Sequence, residues 1–551
     1  MTGGDLVAET LEAAGVDTVF GIASVHNLPI YDAIARLGGI RPVMVRHEQS
    51  AVYMADGYAR ASGRLGVAIT STGPGAANTM GAMAEAYWAN SPVLQIAGNV
   101  ESPYLGKRRG FLHEAKDQLA MLSTVTKWAG QPKSTADIPA VLAEAIQQAL
   151  SGRRRPVAVD LCIDFQYFEA DVPIPSVAPL PPPTPGPQDV WRAADLLAGA
   201  RRPVIWAGGG ALASGAGPEV LALARALGAG VLTTLTGRGV IPEDDPLCLG
   251  YFPTDAAVQE LVASGDVLLA IGTRFQGFNT QAYRMRLPPK IVHVDIDSDE
   301  FNLNYPAAAT VHGDAKAALQ EIIAVLDGRA GAEDGWRERS QEARRRSRAN
   351  QRAVLGPHEG LLEALREGLP HDAIVVKDST ISAYTWGNRL LEVYEPKASL
   401  HAASMAIGPG LPLALGAAVA HPRRPVALIT GDGGFLLAIG ELSTAAQYGL
   451  RVLVMVFNDG GYGVLRRYQD TLFGGRQIAV DMAPIDFAQV ARGMGVPGRR
   501  VSSLGDFAGA VQWGLAQPGP ALLDIDLNRI GPMAVPYRVA SPPSFTIGPR
   551  G

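Results

Sequence analysis

The sequence predicts an α/β protein of three doubly wound parallel-sheet domains. Two observations carry that expectation. Short continuous Val/Ile/Leu runs closed by Gly or Asp alternate with amphipathic stretches along the whole chain. This is the pattern of strands buried on both faces and joined by crossover helices. Two compositional breaks also divide the 551 residues into three such blocks, each large enough to build its own core.

The first block, 1–170, holds the apolar runs 67–71 (VAITS), 92–98 (PVLQIAG) and 156–161 (PVAVDL). The run 171–188 is so rich in proline that it reads as an extended spacer. The second block, 189–327, holds 203–208 (PVIWAG), 266–272 (DVLLAIG) and 290–297 (KIVHVDID). The segment 328–357 contains RERSQEARRRSRANQR, which reads as a solvated helical linker with a basic face. A nucleic-acid arm is disfavoured because no aromatic residues are interleaved. The last block, 358–551, holds 373–378 (AIVVKD), 425–432 (PVALITGD), 451–459 (RVLVMVFND) and 521–527 (ALLDIDL). The soft run 405–420 contains Gly408, Pro409, Gly410 and Pro412 and is shorter than the roughly 20 residues a bilayer needs. It reads as a glycine-rich helix entering a core. The Pro-rich end, 536–551, reads equally as a lid or a loose end.

Composition narrows the function. The 48 basic and 53 acidic residues leave a net charge of −5, too little to attract nucleic acid or an anionic membrane. Cys162 and Cys248 cannot form a disulfide framework, and the N-terminus has no basic segment followed by an apolar block. The expectation is a cytoplasmic enzyme with small-molecule substrates.

The chemistry concentrates in ITGDGGF (429–435) and VMVFNDGGYG (454–463), with 24 residues between Gly433 and Asn458. A strand ends, and Gly431-Asp432-Gly433-Gly434 turns into a helix, so backbone amides can approach a phosphate. Asp432 offers a hard anionic oxygen and Asn458 a neutral amide oxygen at the ends of neighbouring strands. Completed by a carbonyl and by diphosphate oxygens, such a set suits octahedral Mg2+.

Here the chain resembles the thiamine diphosphate (ThDP) enzymes of the acetolactate synthase, pyruvate decarboxylase and benzaldehyde lyase type. Their metal motif is GDG, a spacer in the mid-twenties, then an Asn pair; here Asp459 replaces the second Asn. The resemblance continues through RHEQSAVYMADGYAR (46–60), STGPGAANTMGAM (71–83) and ASMAIGPGLPLALGAA (403–418), in the family's order. It implies a pyrimidine-binding first domain, a middle domain and a diphosphate-binding last domain. Asp432, Asn458 and the Gly460 carbonyl would be the metal ligands. Glu48 would activate the pyrimidine, Met405 would support the bend of the cofactor, and the Ala403 carbonyl would accept from its 4′-amino group. Pro74, Asn78, Gly431, Gly433, Gly434, Phe435 and Val464 would complete the cofactor site. The resemblance also implies that the two halves of each site come from different subunits, with a homodimer as minimal unit and a homotetramer as common form.

Two histidines fall where substrate chemistry is expected. His26 matches the active-site histidine of benzaldehyde lyase, and His113 stands where that enzyme has a glutamine. A histidine near neutrality can donate or accept a proton during carbonyl addition. Val464 cannot protonate an intermediate, where simple decarboxylases often place Glu. The expectation is therefore carboligation or C–C cleavage on 2-oxo acids, aldehydes or 2-hydroxy ketones, ahead of simple 2-oxo acid decarboxylation.

The middle block carries AGGGALASGAG (207–217), a loose GxGxxA. It would suit a nicotinamide or flavin oxidoreductase, but no acid follows at the expected strand end. Gly272-Thr273-Arg274-Phe275 matches a segment of the FAD-binding relatives and departs from them afterwards, so FAD is a weaker expectation. Asp295, Asp297 and Asp299 read as a strand end and helix cap.

Overall fold

The structure is a computed structural model that describes residues 1–329 and 331–537. Residues 538–551, which hold most of the possible lid, lie outside it. It contains three six-stranded sheets, and every neighbouring strand pair is parallel.

The first sheet is built from β1 (Thr18–Gly21), β2 (Arg41–Met44), β3 (Gly66–Thr70), β4 (Val93–Asn99), β5 (Trp128–Gly130) and β6 (Val157–Cys162), in the order β2-β1-β3-β4-β6-β5. The second uses β7 (Pro203–Ala207), β8 (Gly230–Thr233), β9 (Cys248–Gly250), β10 (Val267–Ile271), β11 (Lys290–Asp295) and β12 (Ala309–His312). Its order, β9-β8-β7-β10-β11-β12, is that of dinucleotide-binding sheets. The third uses β13 (Ile374–Lys377), β14 (Ser399–His401), β15 (Val426–Gly431), β16 (Val452–Asn458), β17 (Gly498–Val501) and β18 (Ala521–Asp526). Its order, β14-β13-β15-β16-β18-β17, repeats the topology of the first.

The apolar runs read from the sequence are the inner strands. β3, β4, β15 and β18 are buried at every position, because helices cover both faces. Residues 171–186 form no helix or strand apart from the bridge of Glu169 nearby, as proline density requires. The arginine-rich segment is the helix Trp336–Arg352. Its arginines are largely engaged: Arg344 donates to the Glu243 carbonyl, and Arg348 and Arg352 pair with Glu392 and Glu359. Trp336 at its start is fully buried and donates to the Pro203 carbonyl.

The helices Glu48–Ser62 and Gly410–Ala420 join the first and third domains, and they touch backbone to backbone. A Cβ at Gly57 would enter the Leu413 carbonyl, and one at Gly416 the Met54 carbonyl. Gly410–Ala420 is buried from Gly410 through Val419. Among the described residues, no helix is long and apolar enough to cross a membrane.

Gly416→Ala is therefore expected to destabilise the protein by about 1–3 kcal/mol, since the obstacle is backbone and cannot rotate away. Thermal unfolding checks it; a wild-type midpoint would contradict this packing.

Candidate functional site

In doubly wound sheets, ligand sites lie beyond the carboxyl ends of strands where the winding reverses. In the first sheet that point is between β1 and β3, and in the third between β13 and β15.

After β15 the chain turns through Gly431 into the short helix Asp432–Leu436. A cavity of 180 Å³ opens there, lined among others by Ser379, Thr380, Met405, Asp432, Asp459 and Gly461. The glycines are required. A Cβ at Gly433 would stand 2.6 Å from the Tyr462 ring, and one at Gly434 3.1 Å from the Asp378 carboxylate. Asp432 is buried, with Oδ1 accepting from the Gly433 N–H at 2.9 Å and Oδ2 from the Gly461 N–H at 2.8 Å. Burial, followed by the charge of Asp459, pushes its carboxyl up to about 6.

The placement of Asn458 departs from the expectation. Its amide donates to Asp524 at 3.0 Å and to the Ile485 carbonyl at 3.3 Å, and its oxygen accepts from the Gly460 N–H at 3.2 Å. It does not line the cavity; Asp459 does. Successive residues at a strand end face opposite ways, and Asn458 takes the inward side. Gly460 departs as well. Its carbonyl accepts from Arg466 at 2.7 Å, and Gly461 is the backbone group at the cavity. Arg466 also donates to the Asp459 carbonyl at 3.0 Å and to Asp481 at 2.8 Å. It is a strut that ties the carbonyls of Asp459 and Gly460 to Asp481.

Gly431, Gly433, Gly434, Met405 and Val464 line this cavity, and Leu465 stands beside Val464. Phe435 does not: it is turned into the core, edge-on to Phe487. Ala403 lines a different cavity.

The second cluster surrounds the turn after β3. Glu48 opens the helix Glu48–Ser62, and its Oε2 accepts from the Asn78 amide at 3.0 Å. Pro74 follows Gly73, whose positive φ of 52° favours glycine and whose Cβ would strike the His113 carbonyl. The His26 and His113 rings lie 5.4 Å apart between centroids. Burial, then the charge of His113, holds His26 below the ordinary histidine pKa of 6.5. Its Nδ1 has no hydrogen-bond partner among the described residues. Glu48, Asn78, Pro74, His26 and His113 thus flank one turn. Within one chain Glu48 lines neither this chain's diphosphate-side cavity nor its larger one.

The sequence did not reveal what supports that turn. Gln118 accepts from the Gly73 N–H at 2.7 Å and donates to Asp160 at 2.7 Å. Asn99 and Gln131 also donate to Asp160, and burial pushes its carboxyl up to about 6. The available signal was an acid inside the apolar run PVAVDL.

The larger cavity, of 700 Å³, lies where the second sheet reverses, between the turns after β7 and β10. Gly209, Gly210, Gly272, Arg274 and Asp295 line it, and it reaches Ala403 and Met405. Gly272 is confined by φ 56° and by Gly210 Cα, 2.5 Å from its missing Cβ. Asp297 accepts from the Asp299 N–H at 3.2 Å, the capping role read for that triplet.

Comparison with known proteins decides the family. Residues 1–121, 190–322 and 380–525 match the N-terminal TPP-binding, central and C-terminal TPP-binding domains of thiamine pyrophosphate enzymes. A probable 2-ketoarginine decarboxylase of Pseudomonas aeruginosa is 35% identical over 544 residues, 95% of this chain and 94% of the relative. A probable acetolactate synthase large subunit of Methanocaldococcus jannaschii is 35% identical over 548 residues, 96% of this chain and 92% of the relative. The acetolactate synthase isozyme 3 large subunit of Escherichia coli is 31% identical over 521 residues, covering 91% and 90%.

The chain belongs to the thiamine pyrophosphate enzymes.

It is therefore a ThDP-dependent enzyme, and its first and third domains are the family's two cofactor-binding domains. The matched descriptions name thiamine pyrophosphate; none names the FAD that the GTRF segment suggested.

His113→Gln is expected to raise the titration midpoint of His26, because it removes a neighbouring positive charge. The midpoint should stay below 6.5, since burial is the larger cause. NMR titration of the ring protons checks it; an unchanged midpoint would break the coupling.

Proposed function

We propose that the protein is a Mg2+- and ThDP-dependent carboligase or lyase that makes or breaks a C–C bond next to a carbonyl, on 2-oxo acids or 2-hydroxy ketones. The observation that carries this reading is the 180 Å³ cavity, which joins an acidic and glycine-lined floor to a wall of Met405, Val464 and Leu465. When bound, ThDP would supply a nucleophilic thiazolium carbon for addition to the carbonyl, and a ring that takes up the electron pair left on the former carbonyl carbon when CO2 or an aldehyde departs.

The chain's residues divide the remaining work. Asp432, Asp459 and the Gly461 carbonyl hold Mg2+; two carboxylates at a glycine turn are hard donors of the kind this ion takes. Gly433 and Gly434 leave room for the diphosphate. Glu48, held by Asn78, shares a proton with the pyrimidine N1′ atom. His26, neutral at pH 7, and His113 exchange protons with the substrate oxygen. Val464 and Leu465 present no proton to the reacting carbon, so a second carbonyl is the natural acceptor. This agrees with the similarity to acetolactate synthases. Simple 2-oxo acid decarboxylation is the second reading, favoured by the similarity to a probable 2-ketoarginine decarboxylase.

Glu48 lies apart from both cavities of its own chain, which supports a site shared between subunits. We assign a homodimer as the active unit, with a homotetramer as its larger form. The cytoplasm suits the two free, buried cysteines, Cys162 and Cys248.

NMR product analysis with ThDP, Mg2+ and pyruvate, with and without an aromatic aldehyde, tests the reaction. A coupled 2-hydroxy ketone or acetolactate that needs ThDP is expected; aldehyde alone would favour the second reading. Glu48→Gln should lower kcat by about 10²–10⁴. A mixture of inactive Glu48→Gln and Asp432→Asn chains, refolded together, should regain activity. A mixture that stays inactive would place the whole site in one chain.

Asp459→Ala should abolish Mg2+-dependent retention of ThDP. Asn458→Ala should instead lower stability by about 1–3 kcal/mol, by leaving buried Asp524 without its amide partner. Titration calorimetry and thermal unfolding separate the two, and the reverse pattern would restore Asn458 as the ligand.

A further inference from the structure

The segment 402–408 separates the two cavities. Met405 lines both, while Ala403 and Ser404 line the larger. Met405 has φ 65°, in the left-handed region that a side chain of its size occupies at a cost. Such a conformation persists only where its surroundings fix it. The structure shows what fixes it. On the C-terminal side, the Ser379 hydroxyl donates to the Met405 and Ala406 carbonyls at 3.1 and 2.7 Å. Beyond them, Asp378 accepts from the Gly408 and Gly410 N–H groups, each at 3.0 Å. On the N-terminal side, the clamp comes from another domain. Glu85, on the helix Met80–Ala89 of the first domain, is 0% exposed. Its carboxylate accepts from the Ala403 N–H, the Ser404 N–H at 2.9 Å and the Ser404 hydroxyl.

The consequence follows from peptide planarity. The Ser404 N–H and the Ala403 carbonyl belong to one trans peptide, so they point in opposite directions. A carboxylate that captures the N–H turns the carbonyl away from itself. Among the described residues the Ala403 carbonyl accepts no hydrogen bond, so it is free for a donor from outside the chain. A carboxylate is well suited to this task, because it is an acceptor at both oxygens and meets three donors here. Arg60 lies behind it, 3.9 Å from Glu85 and 3.5 Å from Asp56, and donates to the His401 carbonyl at 2.9 Å. The same cation thus holds the strand end from which the segment leaves.

We propose that Glu85 is a positioning residue of the reaction: from the first domain it locks the 403–404 peptides, and so sets the Ala403 carbonyl and the Met405 side chain against the cofactor pocket. The proposal rests on the ThDP reading, because its effect on chemistry passes through the cofactor. Glu85 does not touch the reacting atoms. It acts through Ala403 and Met405.

Glu85→Gln keeps the shape and one acceptor, and turns the other oxygen into a donor that faces N–H groups. Two measurements decide its effect. Hydrogen–deuterium exchange read by mass spectrometry should show the peptide that spans 403–405 exchanging about tenfold faster, with or without cofactor. Exchange of the C2 proton of bound ThDP, read by NMR after acid quench, should slow about tenfold, with ThDP affinity from fluorescence titration within about threefold of wild type. Wild-type rates in both measurements would overturn the proposal. So would a loss of ThDP affinity as large as the loss of C2 exchange, which marks a merely structural role. If Glu85→Gln does not fold, Ser404→Ala removes one of the three contacts and should slow C2 exchange about threefold; no change would overturn the proposal. A wild-type protein that fails to accelerate C2 exchange at all would refute the ThDP reading instead, and amide exchange at 403–405 would then decide the clamp alone.

Discussion

The structure depends on one contact between helices. Glu48–Ser62 of the first domain and Gly410–Ala420 of the third meet through Gly57 and Gly416, where each backbone fills the space a side chain would need. Glu48 stands at the first residue of one helix, and the segment with Ala403 and Met405 leads into the other. Helices are stiff, so a contact that fixes their crossing also fixes both groups. Glu48–Ser62 is buried along most of its length yet keeps Glu48, Asp56 and Arg60, whereas Gly410–Ala420 is buried almost throughout, with small residues, no charge and an apolar surface all round. Such a helix resembles a membrane segment in sequence, and the glycines and prolines are what distinguish it.

A second regularity explains the polar groups of the core. Parallel sheets buried on both faces leave acids few places, and here four buried acids secure loops that belong to the site. Asp160 holds the turn at Gly73 through Gln118, Asp378 holds Gly408 and Gly410, Asp524 holds Asn458 and the Phe487 N–H, and Glu85 holds Ala403 and Ser404. A buried carboxylate is costly unless its oxygens are occupied by donors. That requirement works in both directions: the loop must keep its N–H groups in place to satisfy the acid, and the acid thereby fixes the loop. The site loops are long and irregular, yet they gain definite positions from four side chains beneath them.

This division also marks what was legible in the sequence. The inner strands were, because burial on both faces writes itself as an unbroken apolar run. β2 (RPVM) and β5 (WAG) were not, because an edge strand needs neither length nor continuous apolarity. The glycine turn with Asp432 and its partner strand end was legible as the mark of a thiamine pyrophosphate enzyme, because few other families ask for those residues at that spacing. Which residue of that strand end faces the cavity was not. Asn458 and Asp459 are adjacent, both can supply oxygen, and only the facing of the strand end separates them. Residues such as Glu85 and Gln118 carry no local pattern at all. Their meaning lies in contacts that span up to 319 positions of the chain, and no window of sequence contains them.

Replacement of an amide by Asp459 changes the charge of the site, and the surrounding structure accommodates it. Burial, and after it the repulsion between two carboxylates around one small cavity, holds Asp432 toward its protonated form. Arg466 stands against Asp459, its guanidinium bonded to the Asp459 and Gly460 carbonyls and paired with Asp481. With an amide at 459 that arginine would face one acid fewer. With the aspartate, charge is balanced on the outer side of the loop by Arg466, while the Asp432 and Asp459 side chains remain at the cavity. The loop 459–461 is therefore tuned as a unit: Arg466 draws the Gly460 carbonyl outward, the Gly461 N–H closes on Asp432, and the remaining negative charge faces the cavity. Arg466 is, in this chain, the counterpart of the acid that replaces the amide.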